Sequence, residues 1–244
     1  MKCTELLFDC DNTLVLSERL AFQACAEVAN EILEKNGVSD RYDGETLLQE
    51  FVGQNFRGMM VSLTKKYGFS MDDEELDRYV KREEDQVIAT LEREGQPCLG
   101  ANEALEKIMA SKKYGMAVVS SSALRRVQAS LKKAGQEVYF PPLHVFSAAT
   151  SLEKPTSKPD PAIYLHACQV IGKKPEECIA IEDSKSGTLS ALNAKIPVIA
   201  YVGSYDGEEE QKKTAKMLMD LGAQVVMWHW SEFEDCIEKI EESS

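Results

Sequence analysis

The sequence predicts an α/β protein in which a parallel sheet is interrupted after its first strand by a small all-helical domain. Three observations carry this reading. From residue 96 onward, short apolar runs alternate with helical patterns of about 10–15 residues, the order that builds a parallel sheet. Residues 15–95 show helical spacing and no convincing strand. Ahead of them a lone apolar run, Leu6-Leu7-Phe8, reads as a buried strand. The expected domains are 1–14 joined with 96–244, and 15–95.

Each element has its own signal. Residues 15–35 place Leu20, Ala24, Val28 and Ile32 at helical spacing, and Gly37 follows as a stop. Helical segments continue over 44–94; the last opens with Ser70 before an acidic first turn, as a capped helix does. A Pro/Gly entry after residue 95 leads to a helix that stops at Gly115. "MAVVSSS" (116–122) is a strand running into serines. Helix 123–134, the apolar "HVFSA" (144–148) and helix 160–171 precede "CIAIEDS" (178–184), a strand ending in carboxylates. Helix 186–194 leads to "PVIAYV" (197–202), and "AQVVMW" (223–228) precedes a last helix at 231–241.

Bulk properties narrow the function. At 244 residues the chain can form one large domain or two small ones. A hydrophobic content of 43% and a mean hydropathy of -0.30 describe an ordinary soluble globular protein. The net charge of -13 argues against nucleic-acid and anionic-membrane partners, which reward surplus Lys and Arg. It leaves room for a small phosphorylated substrate held in a local basic pocket. Residues 15–95 carry 18 acidic and 10 basic side chains, a net of -8, and read as solvated helix faces. No apolar run approaches the ~18 residues of a membrane span. Glu5 and Asp9 interrupt the segment where a signal peptide needs its apolar stretch. Seven cysteines without a CxxC pair fit reduced thiols, and His144, His166 and His229 make no zinc set with them. The expected compartment is the cytoplasm.

"LLFDCDNTLV" (6–15) poses the functional question. Two carboxylates, Asp9 and Asp11, leave a strand end together and repel each other unless a cation lies between them. A strand followed by an Asp/Asn turn also accounts for the segment taken alone. In an open parallel sheet, ligands sit beyond the carboxyl ends of the strands. Ser120 to Ser122 and Glu182-Asp183 stand at two more such ends, and "TSKPDPAIY" (156–164) places Lys158 before a proline-started helix. Taken singly, the serines are a loop, Lys-Pro is common, and Asp183 or Ser184 could merely cap a helix. Together, acids suited to a hard divalent cation and hydroxyls and a lysine suited to a phosphoryl group describe metal-assisted phosphoryl transfer.

At this point the chain resembles the haloacid dehalogenase-like hydrolase superfamily, in the subgroup with a helical cap inserted after the first motif, and it does so over nearly its whole length. "DCDNT" looks like the motif DxDx[TV], "VVSSS" the strand ending in Ser or Thr, "SKPDP" the third motif, and "IEDS" with Gly187 the fourth. The resemblance implies a Rossmann-like core and a Mg2+ cofactor. It implies Asp9 as the nucleophile that becomes an aspartyl-phosphate, and Asp11 as general acid and then base. Mg2+ would be bound by Asp9, the Asp11 main-chain carbonyl and Asp183, with Glu182 aiding directly or through water. Ser120, Ser121 and Lys158 would hold the phosphoryl oxygens. Asn12 stands where the family favours glycine, a position Asn tolerates because it accepts positive φ. Lys158 is preferred to Lys154 because its segment runs straight into a helix.

Asp11 decides against the dehalogenase relatives, whose halide leaves without a proton, and against the phosphonatases, which lack that acid. Sugar phosphomutase relatives usually carry a histidine ten residues after the second aspartate; here Ala21 stands there. The resemblance therefore implies a phosphatase acting on a sugar, polyol or hydroxy-acid phosphate, with the mutase, or a catalytically silent binding protein, as the alternatives. Relatives select substrates with the cap, which closes and excludes water. In "FVGQNFRGMM" (51–60) Gly53 lets the chain turn and Gln54 and Arg57 are the candidate substrate contacts, while Phe56, Met59 and Met60 read as cap core. A monomer is expected. Cys10, next to the nucleophile, should point away from it by strand alternation.

Overall fold

The structure is a computed structural model and describes residues 2–51 and 54–242. Gly53, expected to turn the chain, lies outside the described residues. The chain divides into two compact units, residues 1–16 with 96–244, and residues 17–95.

The first unit is built on a six-stranded sheet. Its strands are β1 (Glu5–Phe8), β4 (Gly115–Ser120), β5 (Val145–Ser147), β6 (Cys178–Glu182), β7 (Val198–Tyr201) and β8 (Val225–Met227). They lie in the order β5-β4-β1-β6-β7-β8, and every described neighbouring pair is parallel. The apolar runs are continuous because both faces of the sheet are covered. Along β1, Leu6 and Phe8 enter one core and Leu7 the other, the period-2 division a pleated strand imposes. The Leu6/Phe8 core is closed by α5 (Ala101–Ser111), α6 (Leu124–Lys133) and α10 (Phe233–Glu242). Its centre is aromatic: Phe8 lies 6.0 Å from Trp230 and 5.8 Å from Phe140, ring centre to ring centre. The Leu7 core is closed by α7 (Ala162–Ile171), α8 (Lys185–Asn193) and α9 (Glu208–Leu221).

After β1 the chain goes first to β4 and β5 on one side, then returns to β6, β7 and β8 on the other. β1 is thus the switch point of the sheet, where a crevice opens beyond the strand ends. The register places Phe8 opposite Val118 of β4 and Ile181 of β6, so Asp9 emerges level with Val119 and Glu182.

The second unit holds α1 (Glu18–Lys35), α2 (Gly44–Glu50), α3 (Phe56–Tyr67) and α4 (Asp73–Glu94). Val28, Ile32, Leu33, Leu47, Leu63, Val87 and Leu91 form its core, and Phe56, Met59 and Met60 belong to it as expected.

Three details differ from the sequence reading. Val15 and Leu16 do not open α1; they form β2 (Val15–Leu16), antiparallel to β3 (Gln96–Pro97). The long helix of the second unit begins after Asp72 rather than Ser70: the Asp72 side chain accepts the N–H of Glu75, satisfying an orphan donor of the first turn. Helix α9 had no clear signal in the sequence, because its buried face is only Thr214, Ala215 and Leu218 among Glu and Lys residues. Lys195 has φ +63 just past the end of α8, the left-handed position that glycine usually fills.

Candidate active site

The loop after β1 is tightly wound. Asp9 N–H donates to the Ile181 carbonyl at 3.0 Å, prolonging the ladder by one bond. The Leu14 and Val15 N–H groups both return to the Cys10 carbonyl, and Asn12, at φ +58, makes the turn between them. Asn is one of the few residues that holds this conformation at low cost. Cys10 points into the Leu6/Phe8 core, away from the carboxylates on either side of it.

Lys158 comes from the loop ahead of α7 and is only 7% exposed. Its three ammonium donors are all used: Asp9 Oδ1 at 2.6 Å, Glu182 Oε1 at 2.6 Å and the Val119 carbonyl at 2.7 Å. Its Nζ also sits 5.3 Å over the Tyr164 ring. Burial acts to lower the lysine's pKa, yet the Asp9 and Glu182 carboxylates overcome it and hold the group above its usual range. Lys154, the alternative, is exposed.

Burial, before any other cause, pushes the Asp9 carboxyl up to about 7; Lys158 pulls it down, and the neighbouring charges of Glu182 and Asp11 push it up again. Glu182 is fully buried, with Tyr164 Oη donating to Oε1 at 2.5 Å. Its Oε2 has no hydrogen-bond partner among the described residues and packs on Gly187, where any Cβ would overlap the carboxylate. That close approach is why glycine stands in the first turn of α8. Ser184, not Asp183, caps that helix by accepting the Gly187 N–H at 3.1 Å. Asp183 is left for the site, with Thr13 Oγ1 donating to it at 3.5 Å.

Asp9, Glu182 and Asp183 offer carboxylate oxygens that all lie within 4.8 Å of one another. Three buried carboxylates against one ammonium leave surplus negative charge where water is scarce. Hard oxygen donors with surplus charge and an orphaned oxygen fit a divalent cation.

The serines form a turn beside this cluster. Ser120 is fully buried, and its Oγ accepts the Ser122 N–H at 3.0 Å. Ser121 Oγ accepts the Lys158 N–H at 3.2 Å, tying the serine turn to the lysine loop. Ser122 Oγ donates to Asp11 Oδ2 at 2.6 Å, and Arg126 Nη2 donates to Asp11 Oδ1 at 2.9 Å. Sequence reasoning gave Ser122 no role of its own and missed Arg126, Tyr164 and Thr13. Thr13 closes the DCDNT motif but was given no role, and Tyr164 stands in the segment that carries Lys158. In the helical unit Gln54 and Arg57 are exposed; Gln54 Oε1 accepts from Ser62 at 2.9 Å and Arg57 pairs with Asp77. His144 and His166 serve structure, His144 against the Met116 carbonyl at 3.3 Å and His166 edge-on to Phe146.

A buried carboxylate cluster at the switch point of a parallel sheet, with a lysine bound to two of its members, suits phosphoryl-transfer chemistry. The family model described as haloacid dehalogenase-like hydrolase matches residues 6–201, and the chain belongs to that family as a phosphoric monoester hydrolase. It is 27% identical to the 6-phosphogluconate phosphatase of Escherichia coli (strain K12), over 80% of this chain and 81% of that one. It is 29% identical to the phosphorylated carbohydrates phosphatase of Thermotoga maritima, over 89% of this chain and 91% of that one. Among solved structures, a HAD family hydrolase from Deinococcus radiodurans R1 with bound phosphate and sodium superposes with a TM-score of 0.70 at 26% identity, covering 95% of this chain and 93% of that one.

Proposed function

We propose that the protein is a Mg2+-dependent phosphatase that hydrolyses a small phosphorylated metabolite through an aspartyl-phosphate on Asp9. The observation that carries this reading is the cage around Asp9: a carboxylate 7% exposed, bound to Lys158 at 2.6 Å, within reach of Glu182 and Asp183. Asp9 and Asp183 would hold Mg2+ with the Asp11 main-chain carbonyl, and Glu182 beside them. The cation's contribution would be to neutralise charge shared between the carboxylates and the phosphoryl oxygens.

The residues divide the chemistry as follows. Asp9 attacks phosphorus and forms an O–P bond as the bond to the leaving alcohol breaks. Asp11 delivers a proton to that alcohol oxygen, and in the second half-reaction takes one from the water that attacks the aspartyl-phosphate. Phosphate leaves and Asp9 is restored. Lys158 balances the negative charge that otherwise repels an incoming phosphate, and Ser120 and Ser121 supply hydroxyls to its oxygens. The Deinococcus relative's bound phosphate supports such a pocket.

Within the expected class of sugar, polyol or hydroxy-acid phosphates, the names of the two phosphatase relatives support a sugar or sugar-acid phosphate as substrate. Ala21, with no proton-transfer group where the mutases carry histidine, supports transfer to water. Gln54 and Arg57 are our candidates for substrate contacts. No helix among the described residues is long and apolar enough to cross a membrane. Seven unbridged cysteines suit a reducing compartment such as the cytoplasm.

Phosphate release from a panel of sugar, polyol and acid phosphates, with Mg2+ and with chelator, tests the proposal. Selective release that needs Mg2+ and vanishes in Asp9→Asn is expected. Release that survives in Asp9→Asn, or that is indifferent to chelator, would contradict it.

A further inference from the structure

We propose that Arg126 and Ser122 are positioning residues that together fix the carboxylate plane of Asp11. The inference rests on the reading of Asp11 as the general acid and base, and adds to it the groups that aim it.

Asp9 and Asp11 are seated differently. Asp9 is locked by burial. Asp11 follows it by two residues, on a turn whose backbone bonds do nothing to orient a side chain, and that side chain is 25% exposed. An aspartate there has two free torsions. The structure removes that freedom from the side: Ser122 donates to Oδ2 at 2.6 Å and Arg126 to Oδ1 at 2.9 Å. One donor on each oxygen sets the plane of the group.

The two donors stand on one frame. Ser122 is pinned through its main chain, its N–H to Ser120 Oγ at 3.0 Å and its carbonyl from Ser147 Oγ at 2.7 Å. Thr150 then bridges: its Oγ1 donates to Ser147 Oγ at 2.9 Å and accepts the Leu124 N–H, at the start of α6, at 3.2 Å. Arg126 lies in that first turn of α6. The ends of β4, β5 and α6 are thus bound to one another, and the frame carries both groups that touch Asp11. General acid–base catalysis demands such placement, since a shift of about 1 Å can cost on the order of 100-fold. A charged guanidinium also makes the stronger of the two bonds.

The expected signature is sensitivity to the leaving group. A poor leaving group needs the proton from Asp11, whereas 4-nitrophenolate departs with little help. Because kcat/KM reports the half-reaction that expels the leaving group, it separates the two cases. The experiment measures kcat/KM with Mg2+ on phenyl phosphate and 4-nitrophenyl phosphate for wild type, Arg126→Gln, Arg126→Lys, Ser122→Ala, Asp11→Asn and the Asp11→Asn/Arg126→Gln double variant.

Arg126→Gln should lose about tenfold on phenyl phosphate and less than about threefold on 4-nitrophenyl phosphate. Ser122→Ala should show the same bias more weakly and provides an independent arm if the arginine variant folds poorly. Arg126→Lys should recover part of the loss. In the Asp11→Asn background, Arg126→Gln should change the phenyl phosphate rate by less than about twofold, since its effect passes through Asp11. Equal losses on both substrates in Arg126→Gln, with Asp11→Asn still discriminating between them, would overturn this inference and leave the proposed function standing. Equal losses in Asp11→Asn itself would overturn the acid–base reading, and this inference with it.

Discussion

The two units use the same side chains in opposite ways. In the helical unit, Arg82 meets Glu31 at 2.5 Å, Lys66 meets Glu50 at 2.6 Å and Arg78 meets Glu74 at 3.3 Å, all on exposed helix faces. In the sheet unit, Lys158 meets Asp9 and Glu182 at 2.6 Å with every partner buried. The distances are nearly the same and the consequences are not. Water screens the first set, so each pair there is worth about 0–1 kcal/mol. The second set has lost its water, and its members depend on one another and, in our proposal, on a cation. Distance alone identifies neither a stabilising pair nor a site; burial and the balance of charge do.

The largest expected effect breaks the buried set at its nucleophile: Asp9→Asn should lower phosphate release by at least about 1000-fold, because in our proposal the covalent intermediate forms on this carboxylate. Lys158→Met should come next. It should abolish most activity and destabilise the sheet unit by about 3 kcal/mol in chemical denaturation, since it leaves buried carboxylates facing one another. Gly187→Ala should follow, with a loss of both stability and metal affinity, because the added methyl displaces the Glu182 carboxylate. At the small end, Glu31→Gln in the helical unit should shift stability by less than about 1 kcal/mol and leave activity unchanged. If Glu31→Gln matched Lys158→Met, the contrast between the units would be wrong.

A pH experiment sharpens the same contrast. The Asp9 carboxyl titrates near 3.8 in a solvated chain and at about 7 in the folded protein. The folded state therefore binds this proton more tightly, and stability from it is complete below about pH 4 and lost as pH rises through 7. In the absence of divalent cation, the thermal midpoint of the wild type should fall between pH 5 and pH 7.5 by more than that of Asp9→Asn. Added Mg2+ should raise the wild-type midpoint more at pH 7.5 than at pH 5, because the cation competes with the proton. Parallel pH curves for the two proteins would contradict it.

Much of this was legible in the sequence, for a physical reason. A parallel sheet buried on both faces writes its strands as unbroken apolar runs, so polar residues at their ends stand out: Asp9, Ser120 and Glu182-Asp183 were visible that way. Asn12 at positive φ also followed from local chemistry, while the choice of Lys158, which is buried, over Lys154 came from the family resemblance. What stayed hidden depends on the fold bringing distant segments together. β2 is two residues long and exists only because Gln96 and Pro97 return beside it. Helix α9 hides its small apolar stripe in a charged run. Arg126 looks like any exposed helix residue until the turn after β1 places Asp11 2.9 Å from it.

The central claim is covalent: phosphorus passes through Asp9. The direct measurement is to acid-quench the enzyme during turnover of 4-nitrophenyl phosphate with Mg2+, reduce with borohydride, and sequence the peptides by mass. Reduction of an aspartyl-phosphate at residue 9 to homoserine, seen in the wild type and absent without substrate, is the predicted result. An unmodified Asp9 under conditions that accumulate the intermediate, or homoserine at another position, would contradict the account.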